Sequence, residues 1–88
     1  MDLAGRAAVI TGGAGGIGTA TGVAMGRAGA RVMLVDVDEG RLAGAAEAVA
    51  ATGAEAHAHL ADVTESEAVR GYVAAALGAF GTIDVLFN

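Results

Sequence analysis

The 88-residue sequence has no cysteine, proline, tryptophan or lysine, and its aromatic side chains are limited to Tyr72, Phe80 and Phe87. Without cysteine there is no disulfide framework, no thiolate nucleophile and no cysteine metal site. The basic residues are all arginine (Arg6, Arg27, Arg31, Arg41 and Arg70) and lie scattered, so no basic cluster exists to form a nucleic-acid surface. Ten acidic groups against five basic ones give a net charge of −5. No apolar run approaches the ~18–20 residues of a membrane span. Met1-Asp2-Leu3 lacks the basic and apolar regions of a secretory signal. These absences lead to the expectation of a cytoplasmic protein that contacts neither nucleic acid nor membrane.

What is present is apolar and small: 55% of residues are hydrophobic, many of them alanine, and 15 are glycine. Such a composition excludes a disordered polar chain. A chain of this size hides only about 60–65% of its unfolded surface, and alanine buries little of it, so any core is thin.

Strand-like runs alternate with helical stretches. Arg6–Thr11 is a short apolar run ending in glycines, consistent with a buried strand. Residues Gly16 to Ala28 read as a helix with Ile17, Ala20, Ala24 and Ala28 on one face. Gly22 and Gly26 inside it each cost roughly 1 kcal/mol relative to alanine, so it needs a sheet to lie on. Gly29 stops it. Arg31–Asp36 is a second strand. Asp38 can cap the next helix, whose Leu42, Ala45, Ala46 and Val49 form a stripe, and Gly53 ends it. Glu55–Leu60 alternate as a third strand. Thr64 and Glu67 match a capping box for a helix carrying Val69, Val73, Ala76, Leu77 and Phe80. Gly81 breaks that helix, and Ile83–Phe87 is a fourth strand.

The order βαβαβαβ specifies parallel strands with right-handed crossovers. The apolar first, second and fourth strands fit burial on both faces, whereas the alternating third strand reads as an edge. If the second and third strands step away from the first on one side, the fourth returns to its other side. The expected strand order is 3-2-1-4, and ligands of open α/β sheets bind where that direction reverses.

The loop Thr11-Gly12-Gly13-Ala14-Gly15-Gly16-Ile17-Gly18 lies at that point. Residues without Cβ let the backbone turn sharply and approach a pyrophosphate, and a helix N-terminus offers free N–H donors and partial positive charge. Two registers fit: Gly13, Gly15 and Gly18 match G-x-G-x-x-G, and Thr11, Gly12, Gly16 and Gly18 match T-G-x-x-x-G-x-G. No Gly-Lys-Ser/Thr follows, which disfavours a nucleoside-triphosphate loop. Asp36 ends the second strand twenty residues after Gly16. A carboxylate there can accept both hydroxyl protons of an adenosine ribose and would repel a 2′-phosphate. Neither Gly15 nor Val37 supplies a basic group to hold that phosphate, so NAD is preferred over NADP.

Together with Asp62-Val63 and the closing Ile83-Asp84-Val85-Leu86-Phe87-Asn88, these motifs resemble the N-terminal part of the short-chain dehydrogenase/reductase family, in register over the whole chain. The resemblance favours the T-G-x-x-x-G-x-G register. It implies a Rossmann-like, doubly wound but incomplete parallel sheet, with residues 1–88 as the N-terminal NAD(P)-binding half and the catalytic half absent. The implied cofactor contacts are Thr11, Gly12, Gly15, Gly16, Ile17 and Gly18 around the pyrophosphate and Asp36 on the ribose. Asp62 and Val63 would border the adenine. Asn88 would be the first residue of an Asn-Asn-Ala-Gly motif lining the cofactor. The implied activity of the longer protein is hydride transfer between nicotinamide and a carbonyl/alcohol carbon, performed by a homo-oligomer.

The family's chemistry needs a Ser and a Tyr-x-x-x-Lys pair. Here Tyr72 is followed four residues later by Ala76, no lysine occurs, and Ser66 starts a helix, so no catalytic residue is assigned. Tyr72 reads as a packing residue on the helix surface. Glu55, His57 and His59 share one side of the third strand, but alternate residues there span roughly 13 Å, too far to converge on one metal ion. Two other readings stay open. One is a non-catalytic module that binds NAD or an adenine nucleotide, or associates through its open fourth strand. The other is a flavin domain using the G-x-G-x-x-G register.

Overall fold

Two aliphatic runs, Ala7–Thr11 (β1) and Arg31–Asp36 (β2), form the centre of the fold because every second side chain can be buried on each face. The structure, a computed structural model, describes residues 2–62 and 64–88. β2 pairs in parallel with β1 and, on its other side, with β3 (Ala56–Leu60). β4 (Val85–Phe87) pairs in parallel with the free side of β1, which completes the expected order 3-2-1-4. Ile10 lies opposite Leu34 on one side and Phe87 on the other.

The alternation divides the core in two. Ile10, Val32 and Leu34 pack with Leu42, Ala45 and Val49 beneath α1 (Gly16–Arg27) and α2 (Glu39–Ala50). Ala7, Val9, Met33 and Val35 pack on the opposite face with Tyr72, Ala76 and Phe80 of α3 (Ser66–Phe80). A right-handed crossover from β3 back to β4 reverses the direction of travel, and that reversal puts α3 on the other face. The sheet is therefore doubly wound.

Several helix ends follow the sequence reading. Asp38 accepts a hydrogen bond from the Arg41 amide at 3.1 Å, capping α2. Gly81 adopts the left-handed conformation that closes α3. Arg31 reinforces this end from β2. Its guanidinium donates to the Phe80 carbonyl at 2.9 Å and the Gly5 carbonyl at 3.0 Å, and lies 5.2 Å from the Phe80 ring centroid. His57 meets the same ring edge-on at 5.3 Å and is itself 2.8 Å from a Glu55 carboxylate oxygen. The polar face of β3 is thus partly covered at His57, while the His57–Glu55 pair remains open to solvent. Among the described residues, no three His, Cys, Asp or Glu side chains gather as a metal site.

Other expectations are corrected. The face of α1 that meets the sheet is Gly18, Gly22 and Gly26, and Ile17, Ala20 and Ala24 face outward. A Cβ on Gly22 would stand 3.1 Å from both Leu34 and Val49, and one on Gly26 would stand 2.7 Å from the Thr52 hydroxyl. The helix lies so close to β2 at Gly22, and to α2 and the segment after it at Gly26, that a side chain would not fit. In α3, Tyr72 is buried in the core while Leu77 is exposed, a rotation from the expected stripe. The capping box does not form: the Thr64 hydroxyl donates to Asp62, and the helix begins with Glu65 as its cap, without a side-chain bond. β4 covers three residues rather than five; just before it the Asp84 side chain accepts from the Ala7 amide at 2.8 Å, and the Asp84 amide donates to the Ala7 carbonyl at 2.8 Å. Leu86 and Phe87 lie exposed on that strand, so burial on both faces does not extend to β4.

Candidate functional site

The rim formed by the C-terminal ends of the four strands gathers most of the residues singled out by sequence. At its centre β1 ends in Thr11, whose hydroxyl donates to the Asn88 side-chain oxygen at 2.9 Å across the β1–β4 junction. The chain then turns at Gly12 with φ +69°, a conformation that strongly favours glycine. The Gly15 amide closes this turn on the Gly12 carbonyl at 3.1 Å.

Packing explains two of the loop glycines. A Cβ on Gly13 would come within 2.8 Å of the Leu34 Cβ, and one on Gly18 would run into the Gly12 carbonyl oxygen and come 2.9 Å from the Gly13 Cα. Gly16 is different: a Cβ there would meet nothing within 4 Å. The cap residue Gly15 has no side chain to accept from the first amides, and the first turn of α1 carries no acidic residue. The N-terminus of α1 therefore presents unscreened N–H groups and partial positive charge to open space beside Gly16. Such a cradle fits a phosphate group. Ile17, 77% exposed, stands beside it.

Asp36 borders this cradle from the end of β2. One carboxylate oxygen accepts from the Ala14 amide at 3.0 Å, and the other accepts from the amides of Val37 at 2.7 Å and Asp38 at 3.1 Å. Partial burial pushes its pKa up, but the three amides, helped by Arg41, outweigh that and hold the carboxyl below its ordinary value. The β2 ladder also continues into the loop through the Gly13 amide, which donates to the Val35 carbonyl at 3.0 Å.

Asp62 follows β3 on the same rim, just after the Ala61 amide bonds the Asp36 carbonyl at 2.9 Å. One of its carboxylate oxygens accepts from the Thr64 hydroxyl at 2.7 Å and the Thr64 amide at 3.0 Å. The hydroxyl bond first, then the amide bond, keeps this exposed carboxyl below its ordinary value. Val63 lies outside the described residues. The rim therefore assembles anion-accepting amides at its centre and two ionised carboxylates to one side. That arrangement suits a ligand with a phosphate centre and hydroxyl or amine donors at one end. Tyr72 takes no part, being buried between α3 and the sheet.

Two contributors to this geometry were not evident in the sequence. Gly13 belongs to the G-x-G-x-x-G register, but Ala14 beside it is fixed by the bond of its amide to Asp36 at the end of β2, and no local pattern announces it. Thr19 donates from its hydroxyl to the Gly13 carbonyl at 3.0 Å, tying α1 back to the loop. A threonine in a first helical turn carries a weak signal for such a bond.

The family described as short chain dehydrogenase matches residues 6–88. The chain is 44% identical over 88 residues to 1-deoxy-11-beta-hydroxypentalenate dehydrogenase of Streptomyces avermitilis, covering 100% of this chain and 33% of that protein. Among solved structures, NAD+-bound xylitol dehydrogenase superposes with a TM-score of 0.95 at 35% identity, over 98% of this chain and 33% of that one. A metagenomic short-chain oxidoreductase in complex with NADP superposes with a TM-score of 0.88 at 38% identity, over 96% of this chain and 38% of that one. The chain thus spans about a third of the length of the curated relatives it matches.

Proposed function

The chain belongs to the short chain dehydrogenase family, and from that premise we propose that it forms the cofactor-binding part of an NAD-dependent oxidoreductase. The activity of the whole protein would be hydride transfer between nicotinamide and a carbonyl/alcohol carbon. The observation that carries this reading is the open, side-chain-free N-terminus of α1 at the reversal point of the sheet, with Asp36 beside it. A bound nicotinamide dinucleotide would supply the hydride acceptor or donor.

The residues of this chain would bind and orient. The loop from Thr11 and Gly12 to Gly15, Gly16, Ile17 and Gly18 would receive the pyrophosphate on its amides. Asp36 would accept from the adenosine ribose. Asp62 and Val63 would border the adenine, and Asn88 would approach the nicotinamide-side ribose. NAD is favoured over NADP because a carboxylate held ionised at Asp36 repels a 2′-phosphate, and neither Gly15 nor Val37 is basic; among the described residues Arg41 is the one cation that acts on that carboxyl. Both cofactors occur among the similar structures. No side chain here is assigned to proton transfer. No helix among the described residues is long and apolar enough to cross a membrane, and a cytoplasmic location belongs to the same proposal.

Calorimetric titration of the chain with NAD+, NADP+ and ADP-ribose tests the reading. NAD+ and ADP-ribose are expected to bind saturably, and NADP+ about tenfold or more weaker, a gap of ~1.4 kcal/mol. Equal binding of NADP+ would remove the NAD preference. No binding of any of the three would remove the dinucleotide reading.

A further inference from the structure

Asp36 makes more contacts with its own chain than a ligand-binding side chain at a strand end requires. A carboxylate has about four lone-pair positions. Backbone amides already fill three of them: Val37 and Asp38 on one oxygen, and Ala14 on the other. The Val37 and Asp38 bonds are local to the strand end. The Ala14 bond is not, because Ala14 lies in the middle of the glycine loop, 22 residues earlier in the chain. Next to it, Gly13 is buried against Leu34, and its amide bonds the Val35 carbonyl. Ala14 is itself buried in the core. The loop is therefore fastened to β2 at two successive amides, one on the main chain of Val35 and one on the side chain of Asp36.

We propose that Asp36 is a positioning residue for the phosphate-binding loop, holding the Ala14 amide so that the N-terminus of α1 keeps its open cradle in the absence of ligand. This role goes beyond the ribose contact proposed above, and its binding consequence rests on that reading of the site. The carboxylate leaves one acceptor position, on the oxygen it shares with Ala14, room for one ribose hydroxyl rather than the two expected from the sequence. A ribose hydroxyl bound there and the loop amide are then neighbours on a single atom. The end of the ligand that carries the ribose and the loop that carries the phosphates become mechanically linked.

The role makes a prediction whose sign is opposite to that of simple electrostatics. Removing a negative charge beside an anion site should tighten anion binding. If Asp36 positions the loop, Asp36→Asn should instead weaken it, because an amide group facing three N–H donors cannot accept from all of them. Inorganic pyrophosphate, which has no ribose, separates the two effects. Its affinity for the 88-residue chain is expected to fall about threefold to tenfold in Asp36→Asn, the factor corresponding to one ordinary hydrogen bond. Unchanged or tighter pyrophosphate binding would overturn the proposal.

A second measurement needs no variant. Residues 12–18 carry no titratable side chain. The groups that act on the Asp36 carboxyl are the three amides and Arg41 in the first turn of α2. In an NMR pH titration of the wild-type chain, the Ala14 amide resonance should shift with the ionisation of the Asp36 carboxyl, followed at its own side-chain carbon. An Ala14 resonance that does not follow that carboxyl would overturn the proposal. Should the wild-type chain bind no pyrophosphate, the phosphate-site reading fails, and the Ala14 titration still decides whether Asp36 holds the loop.

Discussion

A methyl group added at Gly18 would meet the Gly12 carbonyl oxygen and lie 2.9 Å from the Gly13 Cα, whereas one added at Gly16 would meet nothing within 4 Å. The same substitution should therefore act on different properties two residues apart. Gly18→Ala is expected to destabilise the chain by about 1–3 kcal/mol, because backbone atoms cannot step aside, and urea unfolding would show a lower midpoint. Gly16→Ala should keep the midpoint or raise it slightly, since alanine suits a helix by up to ~1 kcal/mol. Its cost would appear in the NAD+ titration, as a loss of about tenfold or more from filling the cradle. The two rim carboxylates yield a prediction of different kind. Asp36 and Asp62 both have folded pKa values below the ordinary 3.8. Between the folded value and 3.8 the unfolded chain holds more protons, so stability rises with pH across that window and is lost as pH falls through the folded value. The urea midpoint should fall on acidification from about pH 5 to below pH 3, and less so in Asp36→Asn.

Among the elements, α2 and α1 show what a hydrophobic pattern can and cannot reveal. The stripe of Leu42, Ala45 and Val49 announces the buried face of α2 because burial there is done by side chains. The buried face of α1 consists of Gly18, Gly22 and Gly26, so a search for apolar side chains selects Ile17, Ala20 and Ala24, which face away from the sheet. In α3 the spacing Tyr72, Ala76, Phe80 is the buried one, and Leu77 is displaced from it. The buried rotation agrees with the contacts at the far end of the helix, where Arg31 bonds the Phe80 carbonyl and both Arg31 and His57 approach the Phe80 ring. Those partners come from β2 and β3, beyond any local periodicity. The same reason separates the parts of the site. Gly12 and Asp36 stand out through a motif and its spacing, whereas Ala14 and Thr19 acquire meaning only from what they touch. Phe80→Ala is expected to cost about 3–5 kcal/mol, read again from urea unfolding, because it removes one of the two buried aromatic side chains of the α3 layer.

For the whole molecule, the decisive asymmetry is between the two sheet edges. β3 presents an outer edge whose His57 and Glu55 are paired with each other, while β4 is three residues long and exposes Leu86 and Phe87 at 51% and 36%. An open apolar edge is a template for another strand. The 88-residue chain is expected to associate with rising concentration, and Leu86→Lys should shift it toward monomer in sedimentation measurements. The glycine face of α1 has a further consequence, for the order in which the molecule can assemble. A helix of 12 residues containing Gly16, Gly18, Gly22 and Gly26 has little tendency to form alone. The surface that holds it includes Leu34, Val49, Thr52 and Ala54, all later in the chain. During synthesis the first helix must therefore wait for the second βα unit to emerge. The open end of α1, though encoded early in the chain, is completed from residues made tens of positions afterwards.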